Sequence, residues 1–304
     1  MIRAAFLKSA PLLFVVMWST GFIGAKLGLP FVEPFTFLSY RYSIVVGIML
    51  VLLLIKGGVP RVPTRIYFHF AVSGLLIHGV YLGGVFLGIS LGMEAGYSSV
   101  IVSMQPVVTG LLAHYFVKEK LTRLKIIGFV LGLTGVMMIL GNKTTGNLPV
   151  PYQALPVIIS LLAISAGTVY HKKFCTGLDL RAGFLIQFAT SLVFTLPVAL
   201  IFETNRVEWS PQFIFALLWL VLVLSVGSIS LMFYLMRSRG VVDTAKLFFL
   251  TPVSATILAW ALFQEKLTPL ILAGMALTIL GVYLGGKPSL SFLTSLYRTK
   301  PKQP

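Results

Sequence analysis

The side chains in this sequence that could do chemistry sit inside apolar runs. Lys246 lies near the start of the run 243–263. An ammonium at membrane depth is expensive unless paired or hydrated, so it usually faces a cavity. There it could anchor a carboxylate or a phosphate. The competing reading is an ion pair with Asp243, one turn earlier, or extension of the side chain to the interface. His78 falls near the centre of 67–91, with Tyr81 on the same helical face. A central imidazole could hydrogen-bond a ligand or carry a proton, and an interhelical hydrogen bond is the plain alternative. Gln105 and Pro106 occupy the middle of 96–117, and Pro252 holds the matching place in 243–263. Proline removes a backbone donor and kinks a helix. The two prolines would shape or gate a site, with Gln105 supplying polar contacts. Trp18, Phe22, Tyr170 and Phe249 could form aromatic walls, and Thr168, Ser225 and Ser228 could add hydrogen bonds. Packing between helices explains such residues nearly as well.

Other features point away from catalysis. The histidines (His69, His78, His114, His171) show no ligand spacing, and Cys175 is the single cysteine. An intramolecular disulfide and a cysteine-rich metal site are therefore excluded. His69 and His171 lie at helix ends and read as interfacial. No glycine-rich loop is followed by Lys-Ser/Thr, so no nucleotide motif exists. No cofactor and no metal are expected. Arg41, about two turns into 35–55, reads as structural, pairing with Glu33 or with carbonyls. Lys26 can reach an interface by snorkelling.

The elements that must hold these residues follow from composition. The chain has 304 residues, 57% hydrophobic and 11% charged, against about 25% charged in soluble domains. Most of its surface must face lipid. A span needs about 20 apolar residues. Ten segments qualify: 10–29, 35–55, 67–91, 96–117, 124–141, 154–172, 182–202, 212–235, 243–263 and 269–286. The formal charge of +16 is concentrated in short clusters between them. It fits membrane topology rather than nucleic-acid binding. With a cytoplasmic N-terminus, eighteen Lys and Arg fall inside and three outside, which orients the chain with both termini cytoplasmic.

The second half repeats the first at an offset of 146 residues. Glu119-Lys120-Leu121-Thr122 falls on Glu265-Lys266-Leu267-Thr268, Pro106 on Pro252, Gly128 on Gly274, Gly135 on Gly281, Lys26 on Lys172 and Glu33 on Asp179. Five helices per repeat is odd, so the halves enter the membrane in opposite senses. Glu119 and Glu265 then lie on opposite faces, about 30 Å apart. They cannot share a substrate and read as turn residues. Thr122 and Thr268 suit N-caps. The glycine spacing at Gly128, Gly132 and Gly135 suits close helix approach. Inverted repeats of this kind mark transporters, whose sites lie near the midplane between the halves.

The sequence resembles the drug/metabolite transporter superfamily, specifically its EamA-type members. The resemblance rests on Trp18-Ser19-Thr20-Gly21-Phe22, Arg41, Gln105-Pro106, Thr251-Pro252-Val253 and the Glu-Lys-Leu-Thr and glycine pattern closing each half. It covers Pro11 to Gly286. It implies an all-α membrane protein of ten transmembrane helices, arranged as two inverted five-helix repeats. These surround a central cavity lined mainly by helices 1, 3, 4, 6, 8 and 9. The expected organisation is 1–141 for the first repeat, 142–153 for an external linker, 154–286 for the second repeat and 287–304 for a basic cytoplasmic tail. The expected function is alternating-access transport of a small polar or amphipathic metabolite across the inner membrane, with export of amino-acid-like compounds favoured. A coupled proton or other ion would drive it, with His78 as the central proton carrier. Membrane lipid is the expected surrounding, with no nucleic-acid partner. The alternatives are an importer or exchanger of nucleotide-linked or phosphorylated anions, and a non-transporting scaffold or receptor.

Overall fold

The computed structural model describes residues 2–58, 60–93, 98, 101–141, 151–263 and 267–285. Phe22 lies within a helix, but its side chain is outside the described set, and Glu265 lies outside the described residues altogether. Among the described residues, ten helical segments follow one another. They are α1 (Ile2–Gly28), α2 (Pro34–Ile55), α3 (Thr64–Ser90), α4 (Ile101–Phe116), α5 (Arg123–Gly141), α6 (Pro151–Phe174), α7 (Leu180–Phe202), α8 (Pro211–Arg239), α9 (241–263) and α10 (Pro269–Gly285). Among the described residues, seven helical stretches are long and apolar enough to cross a membrane, and α4 and α10 are shorter apolar helices. Within hydrocarbon every backbone polar group must be satisfied internally, which is why uninterrupted apolar sequence becomes helix here. Proline opens several of these helices, at Pro34, Pro211 and Pro269. Its missing N–H is one of the donors a helix start leaves unpaired anyway.

The protein is an all-α membrane protein of two inverted five-helix repeats, and the 146-residue offset carries over to the element bounds. Shifting α2 by it gives 180–201, against Leu180–Phe202 for α7. Equivalent helices pair antiparallel. At one end of the bundle, the Glu203 carboxylate accepts from Phe35 N at 2.8 Å and Thr36 N at 2.7 Å, satisfying the start of α2. Beside it, Glu33 accepts from Thr204 N at 2.6 Å and Thr204 Oγ1 at 2.7 Å. At the other end, Asp179 caps α7 through Arg181 N at 2.9 Å and meets Lys56 at 3.0 Å. Arg181 holds the Asp179 carboxyl well below the usual carboxylate range, with Lys56 adding to the effect. The sign follows: this latch stabilises the fold above the ordinary carboxylate pKa and is lost only as pH falls through the depressed value. The first of these ends carries Glu33, Glu203 and Glu208 and is the acidic end. The second carries Lys56, Arg181 and Arg239 and is the basic end.

The helices α5 and α10 meet along a close seam. A Cβ on Gly135 would lie 2.5 Å from Gly274 O, and one on Gly128 would lie 2.5 Å from Gly281 O. Those glycines are related by the repeat, so each half offers the same surface to the other. Small residues let helix backbones meet where lipid offers no hydrophobic driving force for association.

Two further irregularities occur at repeat-related places. α3 contains a π-helical segment at Leu75–Val80, and α8 contains one at Leu220–Ser228. α4 breaks at Met104, just before Gln105-Pro106, and α9 passes through a 3-10 turn at Lys246–Phe249 before Pro252. Irregular backbone of this kind is tolerated at membrane depth where protein or a cavity surrounds it.

Candidate functional site

The π segments and broken helices face the middle of the molecule, where two cavities lie. The first, of about 40 Å³, is lined by α1, α2, α3 and α8, including Trp18, Arg41, Tyr81 and Leu224. Trp18 and Tyr81 stack, with ring centroids 6.5 Å apart and planes 11° apart. The second, of about 10 Å³, is lined by α4, α6, α8 and α9, including Gln105, Thr168, Thr244 and Phe248. Phe248 meets Trp18 edge-on at 4.9 Å and so walls both groups. Ligand pockets usually run from about 300 to 1,000 Å³, so both central cavities are closed down around their linings.

Mid-depth polar groups are left over by the protein's own hydrogen bonding. His78 is fully buried and stacks on Phe188 at 4.2 Å, yet neither ring nitrogen has a hydrogen-bond partner among the described residues. Gln187 is its polar neighbour. The same holds for both side-chain ends of Gln105 and for the hydroxyls of Thr109, Ser165, Ser228 and Thr251. These six residues come from α3, α4, α6, α8 and α9, near the middle of each helix, so both repeats contribute. A buried polar group without a partner costs about 1–3 kcal/mol. Such groups in a native interior call for water or a ligand.

Several expected residues take other positions. Lys246 donates to Asp243 Oδ1 at 2.9 Å, and Lys125 reaches the same oxygen at 3.7 Å. Its charge is thus answered on its own helix, near the basic end. Phe249 is fully buried but turned toward α5, against Phe129 and Gly132. One residue along this 3-10 turn is a third of a turn, and Phe248 takes the cavity-facing place. Thr168 bonds Ile164 O and Ser165 O on its own helix while lining the smaller cavity. Pro106 and Pro252 stand just after the breaks in α4 and α9, and both are buried. Glu119 does more than form a turn. Its carboxylate accepts from Val241 N at 3.0 Å and Val242 N at 3.2 Å, capping α9. Gly240, at φ +92°, makes the bend that presents those donors. Lys26 is exposed.

Arg41 is the largest departure. The expected pairing with Glu33 does not form, because Glu33 is engaged by Thr204. Arg41 instead lines the larger central cavity, 3% exposed, and its Nε donates to Ser225 Oγ at 2.8 Å. His171, expected at the interface, turns inward. Its Nδ1 lies 3.0 Å from both Ser73 Oγ and Gln187 Nε2, and its ring stacks on Phe233 at 3.8 Å. That cluster borders a third cavity, of about 450 Å³, at the basic end between α6, α7 and α8. Thr109, Ser165 and Gln187 were not singled out by sequence, and Thr251 entered only within Thr251-Pro252-Val253, as part of the family resemblance. Their signal was a polar residue within a span, which many packing residues share.

A ten-helix bundle of inverted repeats, closing on polar groups at mid-depth, defines a membrane transporter. The EamA-like transporter family profile matches residues 9–141 and again 153–285, and the chain belongs to that family. Among its relatives, an uncharacterized transporter of Bacillus subtilis, YvbV, is 28% identical over 276 residues, covering 89% of this chain and 88% of its own. The uncharacterized inner membrane transporter YedA of Escherichia coli K12 is 24% identical, covering 88% and 89%. A probable amino-acid metabolite efflux pump of Salmonella typhimurium is 24% identical, covering 90% and 92%. One protein of known crystal structure superposes with a TM-score of 0.75 at 19% identity, over 98% of this chain and 99% of that one, which is a likeness of fold.

Proposed function

We propose that this transporter carries a small polar or amphipathic metabolite unchanged across the inner membrane by alternating access, with both termini cytoplasmic. Export of an amino-acid-like compound is the favoured reading. The observation that carries it is the set of mid-depth polar groups without protein partners, drawn from both repeats. A cargo with hydrogen-bonding groups meets that need, and equivalent halves can expose it to either side. The efflux-pump relative supports the substrate class and direction. The rival reading, a nucleotide-linked or phosphorylated cargo, calls for several cations around one site. Lys246 and Lys125 are committed to Asp243, which weighs against it. His78 is the group we assign to any coupled proton, because among the described mid-depth residues of the centre it carries the imidazole, a side chain able to take up and release a proton.

The test is flux from proteoliposomes loaded with a defined metabolite pool, with release followed by mass spectrometry under imposed proton and sodium gradients. Selective release of amino-acid-like compounds is the expected outcome. Release of phosphorylated compounds instead would favour the rival, and no selective flux from folded protein would favour a non-transporting scaffold.

A further inference from the structure

We propose that Arg41 is the anchor for a single carboxylate of the transported compound; this rests on the transport reading above and narrows it to monocarboxylates. Arg41 lies in the span of α2 and is 3% exposed. Among the described residues no acidic side chain comes within 4 Å of it. Among the described residues its hydrogen bond to another side chain runs from Nε to the neutral Ser225 hydroxyl. A guanidinium has five donors in a planar fork suited to a carboxylate. A buried charge without a counter-charge is among the most expensive arrangements a membrane protein can hold, and it persists where it has a task.

The surroundings fit one such task. The cavity beside Arg41 is about 40 Å³, while a water's share of liquid is about 30 Å³. A carboxylate is of that size. The stacked pair Trp18 and Tyr81, with Leu220 and Leu224, supplies flat and aliphatic walls for an amphipathic remainder. Ser225 holds the guanidinium from within the π segment of α8, so the anchor spans α2 of one repeat and α8 of the other. One guanidinium balances one negative charge. A phosphate dianion would bring a second negative charge, for which no further cation stands beside Arg41 among the described residues lining this cavity.

The full chain, its Arg41→Gln variant and its Arg41→Lys variant are compared in two measurements. The first is counterflow in proteoliposomes, using the L-amino acids and their C-terminal amides as probes. Wild type is expected to prefer acids over amides at least tenfold. Arg41→Gln should lose at least tenfold in acid flux while keeping amide flux, and Arg41→Lys should keep part of the acid preference. The second is thermal unfolding in detergent, with sodium acetate or with acetamide and sodium chloride at matched ionic strength. Acetate should stabilise wild type more than Arg41→Gln, and Arg41→Gln without ligand should melt no lower than wild type. Equal flux of acids and amides through wild type overturns the proposal. So does an acetate effect equal in wild type and Arg41→Gln, or a fall of more than 5 °C in the melting of that variant. Absence of flux with any probe would count against the amino-acid-like cargo alone, since the acetate comparison still decides for or against the anchor.

Discussion

A charged residue in a span reads the same in sequence whether it holds a ligand or a neighbour; the structure pairs Lys246 with Asp243 and sets Arg41 beside the neutral Ser225 hydroxyl. For Lys246 the sequence left open a cargo anchor, an ion pair with Asp243 one turn earlier or snorkelling to the interface, and the structure shows the ion pair at 2.9 Å. Arg41 looked paired because Glu33 sits nearby in sequence, yet Glu33 is drawn off by a threonine 171 residues away. The partner of Lys246 is one turn away on its own helix, whereas the partners that decide Arg41 and Glu33 are distant in the chain. One expected outcome follows. Lys246→Ala should leave substrate preference in counterflow unchanged and lower the melting temperature by a few degrees, because Asp243 then keeps only the longer contact to Lys125. A change of preference with unchanged melting would return Lys246 to the cargo. The polar residues Gln105, His78, Ser228 and Thr168 were legible as candidates from their depth alone. Phe249 was not separable from Phe248, because a 3-10 turn at Lys246–Phe249 alters the rotation that ordinary helical spacing assumes.

At the scale of elements, the apolar runs set nearly every helix. The spans expected at 35–55 and 182–202 match α2 and α7 to within two residues at each end. The π segments were invisible, since they depend on how each helix is packed rather than on residue type. The glycines of α5 and α10 were legible as close-contact residues, and the structure supplies their partners. At Gly135 an added Cβ would strike the Gly274 carbonyl and the Thr278 hydroxyl, whereas at Gly47 in α2 it would meet nothing within 4 Å. Gly135→Ala should therefore destabilise by about 1–3 kcal/mol, the usual cost of overpacking. Gly47→Ala should be neutral or stabilise by up to about 1 kcal/mol, since it removes backbone freedom from the unfolded chain. Unfolding of both variants in detergent, followed by circular dichroism, checks the pair. Equal behaviour would mean that the α5–α10 contact does not carry the fold.

For the whole molecule, the distribution of lysine and arginine predicts which end faces the cytoplasm, and this is open to direct measurement. Cys175 offers a quiet background, because burial pushes its thiol up to about 12 and leaves almost no thiolate at neutral pH. Arg206→Cys at the acidic end and Ser238→Cys at the basic end are both exposed positions. In intact cells a membrane-impermeant maleimide should label Arg206→Cys and spare Ser238→Cys until the membrane is opened. The reverse pattern would invert the orientation. The repeat and the inversion of its halves were legible together because an odd number of helices per half forces inversion; closure of the centre was not, since it depends on side chains such as Phe248 and Trp18 meeting across repeats.

The α5–α10 seam has an evolutionary consequence. Because Gly128 faces Gly281 while its counterpart Gly274 faces Gly135, the contact is self-complementary in the way a two-fold dimer interface is. A lone five-helix unit would carry both sides of that contact. If it could insert in either direction, two copies could have met antiparallel before any duplication joined them. Fusion would then have released the copies to diverge, letting one half keep Arg41 at the position where the other has Gln187. The asymmetry of the present centre would be a product of that freedom.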